Sequence, residues 1–143
     1  MKAERTWRRW CLWWTLFIGI GAVVGALMMW LGPDVFGMAP LLELMQVLPF
    51  ADVLFQSFLW PGVFLLVING LTQLIAAILI LTKHRYAWIA VLVCGGLLLG
   101  WIALQFIIFT VNPLSSIYLV FALAEITMAL LWRRAIRYAG SSD

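Results

Sequence analysis

The residue that stands out as a candidate for chemistry is Glu125. It lies twelve residues after Pro113 and eight before Arg133, in a stretch that holds no other charge. If this stretch is a helix, its rise puts the carboxyl about 18 Å from one end and about 12 Å from the other. A charged side chain at the middle of a bilayer costs about 2.5–3.5 kcal/mol on an insertion scale, so it needs partners or a function. We expect this carboxyl to be neutral, because desolvation disfavours the charged form.

Three amide side chains fall near the same depth when the other apolar stretches are drawn as helices. Gln73 follows Pro61 by twelve residues, while Asn69 and Gln105 lie about one turn nearer the outer end. Asn69 and Gln73 have the i, i+4 spacing that puts two side chains on one helix face. We predict that these amides and Glu125 form one hydrogen-bonded cluster.

Two aromatic side chains share the faces of this cluster. Trp101 precedes Gln105 by four residues, and Tyr118 precedes Glu125 by seven, so each lies above a polar neighbour on the same stripe. The sequence therefore predicts a polar ligand-binding site with six members: Glu125, Asn69, Gln73, Gln105, Trp101 and Tyr118.

The cysteines and the histidine point away from catalysis. Cys11 and Cys94 lie in apolar stretches without CxxC or metal-site spacing, and we interpret them as small apolar residues. His84 lies in a polar turn, far from any buried serine or acid, so no hydrolytic triad can form. We predict a protein that is not an enzyme and holds no cofactor or metal.

The elements that must position the polar cluster are membrane-spanning helices. The chain is 66% hydrophobic and 10% charged, whereas a soluble domain is about 45–50% apolar and about 25% charged. Soluble enzymes, nucleic-acid modules and disordered segments are thereby excluded. Four stretches reach the length of about 20 residues that a helical span needs, at about residues 10–31, 60–82, 86–110 and 114–132. We predict one domain over residues 1–143, an all-α antiparallel four-helix bundle.

Basic residues mark one side of these spans. All nine Lys and Arg residues lie in the N-terminal segment, in the turn at 83–85 or after residue 132. The positive-inside rule then predicts that both termini are cytoplasmic, and it explains the net charge of +3 without a nucleic acid partner.

The segment 32–59 carries acidic but no basic residues and is predicted to face outward as a cap. Pro40 and Pro49 bracket a short apolar stretch, which predicts an interfacial helix near residues 41–48. An amphipathic lid over the bundle and a gate for a ligand are both compatible with this pattern.

Glycine pairs indicate where helices could approach closely. Gly21 and Gly25 in the first span, and Gly96 and Gly100 in the third, have GxxxG spacing. Packing within the chain and dimerisation explain these pairs equally well.

Several of these stretches together resemble a known group of proteins. Pro61-Gly-Val-Phe-Leu-Leu-Val-Ile-Asn-Gly70, Gly100-Trp-Ile-Ala-Leu-Gln105, Asn112-Pro-Leu and the late Glu125 are similar to small bacterial four-span membrane proteins, some of them called DoxX-like. The resemblance implies four helices and a multi-pass location in the bacterial inner membrane. It supplies no activity.

Two functions remain open at this point. One is the binding of a small or amphipathic ligand, or of an ion, at the polar cluster around Glu125. The other is a structural or accessory subunit that docks another membrane protein, with the cluster serving helix packing alone. The expected partners are membrane lipid, a small amphipathic ligand, and a second copy or a larger membrane complex.

Overall fold

The computed structural model describes residues 2–111 and 113–140, whose long helices form an all-α bundle. In chain order the helices are α1 (Lys2–Leu31), α2 (Ala39–Leu44), α3 (Ala51–Leu54), α4 (Leu59–Leu65), α5 (Thr72–Leu81), α6 (Ala87–Phe109) and α7 (Pro113–Gly140). A 3-10 turn (Met45–Val47) follows α2, and a π-helical segment (Leu66–Leu71) joins α4 to α5. Four segments are long and apolar enough to cross a membrane: Lys2–Leu31, Leu59–Leu81, Ala87–Phe109 and Pro113–Gly140.

The first and last helices extend beyond the predicted spans. The α1 helix begins at Lys2 rather than near residue 10, and α7 continues to Gly140 rather than ending near residue 132. Hydropathy marks only the apolar part of a helix, whereas helical hydrogen bonding can continue into a basic, water-accessible end. Asn112, at the predicted junction of the third and fourth spans, lies outside the described residues.

Prolines and one lysine mark where helices begin and end. Pro113 is the first residue of α7 and Pro61 the third of α4, positions at which a missing N–H leaves no helical hydrogen bond unmade. At the end of α5, Lys83 has φ +54°, the left-handed conformation that usually closes a helix with glycine. The His84 N–H donates to the Leu79 carbonyl and completes this turn.

Each long helix packs against two neighbours. The α1 helix contacts the segment Leu59–Leu81 along its length and also contacts α7, while α6 packs against α7 and α5. This arrangement gives the bundle two ends. The basic end carries Arg5, Lys83 and Arg133, and the cap end carries residues 32–58.

The glycines that permit close packing differ from those predicted by GxxxG spacing. A Cβ built at Gly95 would lie 2.7 Å from Ile126 Cγ1, so α6 and α7 need a glycine there. At Gly96 and Gly100 a Cβ would meet nothing within 4 Å, so this predicted pair does not pack inside the chain. In the first-span pair Gly25 contacts Leu65, while Gly21 is exposed.

The cap is an ordered layer with its own small core. Met45, Ala51 and Phe55 are buried together, and Phe64 of α4 and Phe109 of α6 pack against them. The predicted interfacial helix near 41–48 corresponds to α2 and the 3-10 turn that follows it. The cap thus covers the ends of the second and third long segments that lie opposite the basic end.

The core near the basic end contains both cysteines. Cys11 and Cys94 are buried there as free thiols, in line with their interpretation as small apolar residues. Trp132 of α7 also packs inside this core and is 4% exposed.

Candidate functional site

The centre of the bundle holds a hydrogen-bonded pair between α5 and α7. Gln73 Nε2 donates to Glu125 Oε2 over 2.9 Å, and both side chains are 0% exposed. Gly19 of α1 lies against the pair, since a Cβ built there would be 3.1 Å from Gln73 Cβ. The similar depth predicted for Gln73 and Glu125 corresponds to a direct contact in the structure.

Part of the hydrogen-bonding capacity of this pair is unused. Gln73 Oε1 and Glu125 Oε1 are both buried and have no hydrogen-bond partner in the described part of the chain. Neither side chain lines the two cavities described below. Protein therefore surrounds the pair, a position that suits joining helices better than contacting a large ligand.

Asn69 lies one turn closer to the cap, in the π-helical segment. Its side chain is 2% exposed, and within the described residues neither Nδ2 nor Oδ1 has a hydrogen-bond partner. Buried polar groups in proteins are nearly always paired, so this amide requires an explanation. A π-helical turn is rare, and such turns often occur at functional sites. The sequence analysis did not predict this turn.

Gln105 does not join the predicted four-member cluster. Its Oε1 accepts a hydrogen bond of 2.9 Å from Ser115 Oγ, which links α6 to the start of α7. The prediction of one continuous cluster is therefore wrong. Gln105 lies nearer the cap than Glu125, and at that level the closest polar group on α7 is Ser115.

A cavity of about 300 Å³ lies beside Asn69. Its polar wall is formed by Asn69, Gln105, Trp101 and Tyr118, four of the six residues predicted as a site. Aliphatic and methionine side chains from all four long segments form the rest. The structure thus brings these four residues to one cavity and leaves Gln73 and Glu125 outside its lining.

A second cavity, of about 440 Å³, lies beneath the cap. The two cavities share Met29, Met38, Trp101, Gln105 and Leu114, so they adjoin. Among the residues that the structure describes, none that lines either cavity is Asp, Glu, Lys, Arg or His. Together they form an elongated apolar space with a few uncharged polar groups.

The first cavity reaches the surface between α1 and α7. Gly21 and Val24 line it from α1, and both are exposed, Val24 to 46%. On the other side of this opening, Tyr118 Oη would be 3.9 Å from a Cβ built at Gly21. The ring of Tyr118 is held edge-on against Phe121, at a centroid distance of 5.4 Å.

Sequence reasoning missed two parts of this region. Ser115 was not selected, although a hydroxyl in the first turn of an apolar helix is a signal for a polar contact. Met29 and Met38 were not selected either, because a methionine in an apolar stretch is not distinctive. Their shared position between the cavities depends on how the cap folds back, which spacing along the chain does not reveal.

Metal-binding groups are not gathered anywhere in the described residues: no three His, Cys, Asp or Glu side chains lie close enough to hold an ion. The polar groups that line the cavities are the amides of Asn69 and Gln105, the Tyr118 phenol, the Trp101 indole and the Ser115 hydroxyl, set among apolar side chains.

Comparison of the chain with family models, curated proteins and solved structures gave no match. The resemblance to DoxX-like proteins stays a prediction.

Proposed function

We propose that this chain is a multi-pass membrane protein that binds a neutral, elongated amphipathic molecule in the two adjoining cavities near its cap end. In this proposal both termini are cytoplasmic, the cap faces outward, and the membrane is the bacterial inner membrane. The observation that carries the proposal is Asn69, a buried amide that has no hydrogen-bond partner among the described residues and lines a mainly apolar cavity.

The unpartnered amide of Asn69 has an energetic cost that a ligand would offset. Leaving a buried polar group unpaired costs about 1–3 kcal/mol, and leucine at this position would carry no such cost. A ligand with a hydroxyl and a carbonyl could accept from Nδ2 and donate to Oδ1. Binding would then remove the free-energy cost of the unpaired Asn69 amide.

The lining of the cavities supports an uncharged head group. A buried charge needs a counter-charge, because desolvation of an isolated ion is expensive. Since Asp, Glu, Lys, Arg and His are missing from both linings, an ion or a charged head group would find no partner there. The volumes of about 300 and 440 Å³ lie within the usual range for small-molecule sites.

The opening between α1 and α7 supports entry from the bilayer. It is bordered by exposed Gly21 and Val24, which would face acyl chains in a membrane. A molecule dissolved in the bilayer could then reach Asn69 without crossing the cap. In this proposal the Gln73–Glu125 pair holds α5 and α7 together beneath the ligand.

The second candidate function is an accessory subunit that docks another membrane protein. The bare surface at Gly96 and Gly100 favours it, since nothing in the described chain lies within 4 Å of a Cβ at either position. Substituting leucine at Gly96 separates the two functions. It should disrupt a docked complex and leave ligand binding at Asn69 unchanged.

The test uses the full chain in a neutral detergent with Asn69→Leu. We expect monooleoylglycerol to raise the Tm of the wild type, because a ligand at 100 times its Kd adds about 2.7 kcal/mol of stability. Without ligand, Asn69→Leu should be more stable than wild type, since it removes an unpaired amide. It should also lose the response to monooleoylglycerol.

Gln56→Leu is the matched control, because it removes an exposed amide outside both cavities. It should leave the ligand response intact, and oleate and oleylamine should stabilise the wild type less than monooleoylglycerol. If Asn69→Leu instead lowers the Tm and keeps the response, the amide has a structural role and the proposal is wrong.

A further inference from the structure

The basic end of the bundle has a cavity that the proposed function does not use. Its volume is about 570 Å³, and it is lined by Arg5, Arg8, Arg9 and Lys83 together with Glu4 and Thr6. Four cationic side chains thus face one acidic side chain. The lining of this cavity therefore carries a net positive charge.

Two separate elements supply these cations. Arg5, Arg8 and Arg9 belong to the first three turns of α1, whereas Lys83 comes from the turn that follows α5. Lys83 occupies the left-handed position that ordinarily favours glycine, at φ +54°. Because this position holds lysine and not glycine, the turn places a cationic side chain beside the arginines.

An exposed apolar stripe continues from this cavity along α1. Trp13 and Phe17 are 70% and 59% exposed, followed by Ile20 at 56% and Val24 at 46%. The alternating spacing of four and three residues keeps these side chains on one face of the helix. Arg9 precedes Trp13 by four residues, so the stripe runs toward the cationic cavity.

We propose that this cavity and stripe bind an anionic phospholipid of the cytoplasmic leaflet. The phosphate group would lie among Arg5, Arg9 and Lys83, and an acyl chain would follow Trp13 and Phe17. Basic pockets between helices on the cytoplasmic side are suited to anionic head groups, and exposed tryptophans are typical of the membrane interface. The inference rests on the proposed membrane orientation but not on the ligand cavity at Asn69.

The size of the expected effect follows from the charge of the site. Each lysine or arginine near an anionic lipid surface contributes roughly a five-fold gain in affinity. Removing two cations from the cavity should therefore weaken binding by about 25-fold. Free inorganic phosphate lacks the acyl chains and should bind far more weakly than the lipid.

The experiment measures lipid binding to the detergent-solubilised full chain by native mass spectrometry, at fixed ionic strength. The ligands are dioleoylphosphatidylglycerol, dioleoylphosphatidylcholine and inorganic phosphate. We expect wild type to prefer phosphatidylglycerol at least ten-fold over phosphatidylcholine. The double variant Arg9→Gln/Lys83→Gln should lose most of this preference, and Arg9→Lys should retain it.

The matched control is Arg134→Gln/Arg137→Gln, which removes two exposed cations from α7 outside the cavity. It should change the preference less than three-fold. Equal losses in both double variants would overturn the proposal in favour of general attraction to the basic end. Equal binding of the two lipids, or equal binding of phosphate, would also overturn it. The monooleoylglycerol response of Arg9→Gln/Lys83→Gln, measured in parallel, tests the cavity at Asn69 separately.

Discussion

At the scale of single residues, two kinds of buried polar group can be distinguished. Gln73 and Glu125 are hydrogen-bonded to each other, whereas the amide of Asn69 is not hydrogen-bonded to either. Gln73 and Glu125 share a hydrogen bond of 2.9 Å between two helices, while Asn69 is buried and neither of its polar atoms has a partner in residues 2–111 and 113–140. Interhelical hydrogen bonds in membranes stabilise by roughly 0.6 kcal/mol on average. Losing one partner costs more than this value, because the remaining group is left unpaired.

The Gln73–Glu125 pair can be tested by a double-mutant cycle. We expect the free energy of unfolding of Glu125→Gln to lie within about 1 kcal/mol of the wild-type value, since the amide oxygen can replace the carboxyl oxygen as the acceptor. Glu125→Leu should lose about 1–3 kcal/mol because it leaves the Gln73 amide without a partner. The double variant Gln73→Leu/Glu125→Leu should recover part of that loss. Unfolding in detergent is the measurement.

Thr127→Leu serves as the control for this cycle, because it removes an exposed hydroxyl from the same helix. Its effect should be small. A Glu125→Leu variant as stable as wild type, with no coupling to Gln73, would show that the pair does not hold α5 to α7.

At the scale of helices, the rotation of α6 about its own axis determines which of its glycines packs against α7. Gly95 and Gly96 are neighbours in the sequence, but the helix turns by about 100° between them. Gly95 faces Ile126, and Gly96 faces away from the chain. The GxxxG pattern selected Gly96 because it counts spacing, whereas packing depends on the rotation of the helix.

Alanine substitutions at these two positions should therefore differ. Gly95→Ala would bring a Cβ to 2.7 Å from Ile126 Cγ1 and 3.2 Å from Ile126 N. Because a backbone atom is among these contacts, we expect a loss of about 1–3 kcal/mol, as in other overpacked cores. Gly96→Ala should be neutral or slightly stabilising, since alanine favours a helix. Thermal unfolding of both variants would check this, and equal effects would contradict the packing.

The parts of the fold that the sequence predicts are those that depend on length and depth. Four apolar stretches, a bracketed cap helix and the similar depths of Gln73 and Glu125 follow from hydropathy and helical rise. The partner of Gln105 and the burial of Trp132 depend on helix rotation, which a nearly uniform apolar surface does not encode. The π-helical segment at Asn69 packs against α1 and has no clear sequence signal.

At the scale of the whole molecule, charge is separated along the bundle axis. The cavity at the basic end joins Lys83 to α1, and the Arg133 guanidinium lies 5.0 Å from the ring centroid of Trp88. The acidic residues Asp34, Glu43 and Asp52 precede the second long segment, in or next to the cap. Both proposals depend on this polarity, because the cap end holds the uncharged cavities and the basic end holds the cationic one.

The orientation of this axis in a membrane is the last prediction. The two native cysteines are buried, so we would replace Cys11 and Cys94 by alanine and introduce one cysteine at a time. Ser57, exposed in the cap, should react as cysteine with an impermeant maleimide on intact spheroplasts. Gly140, exposed at the end of α7, should react only after permeabilisation, because the positive-inside rule keeps the basic end in the cytoplasm. The opposite pattern would invert the orientation and move the phospholipid site to the outer leaflet. Labelling of both positions from outside would contradict the three membrane crossings, an odd number, that separate Ser57 from Gly140.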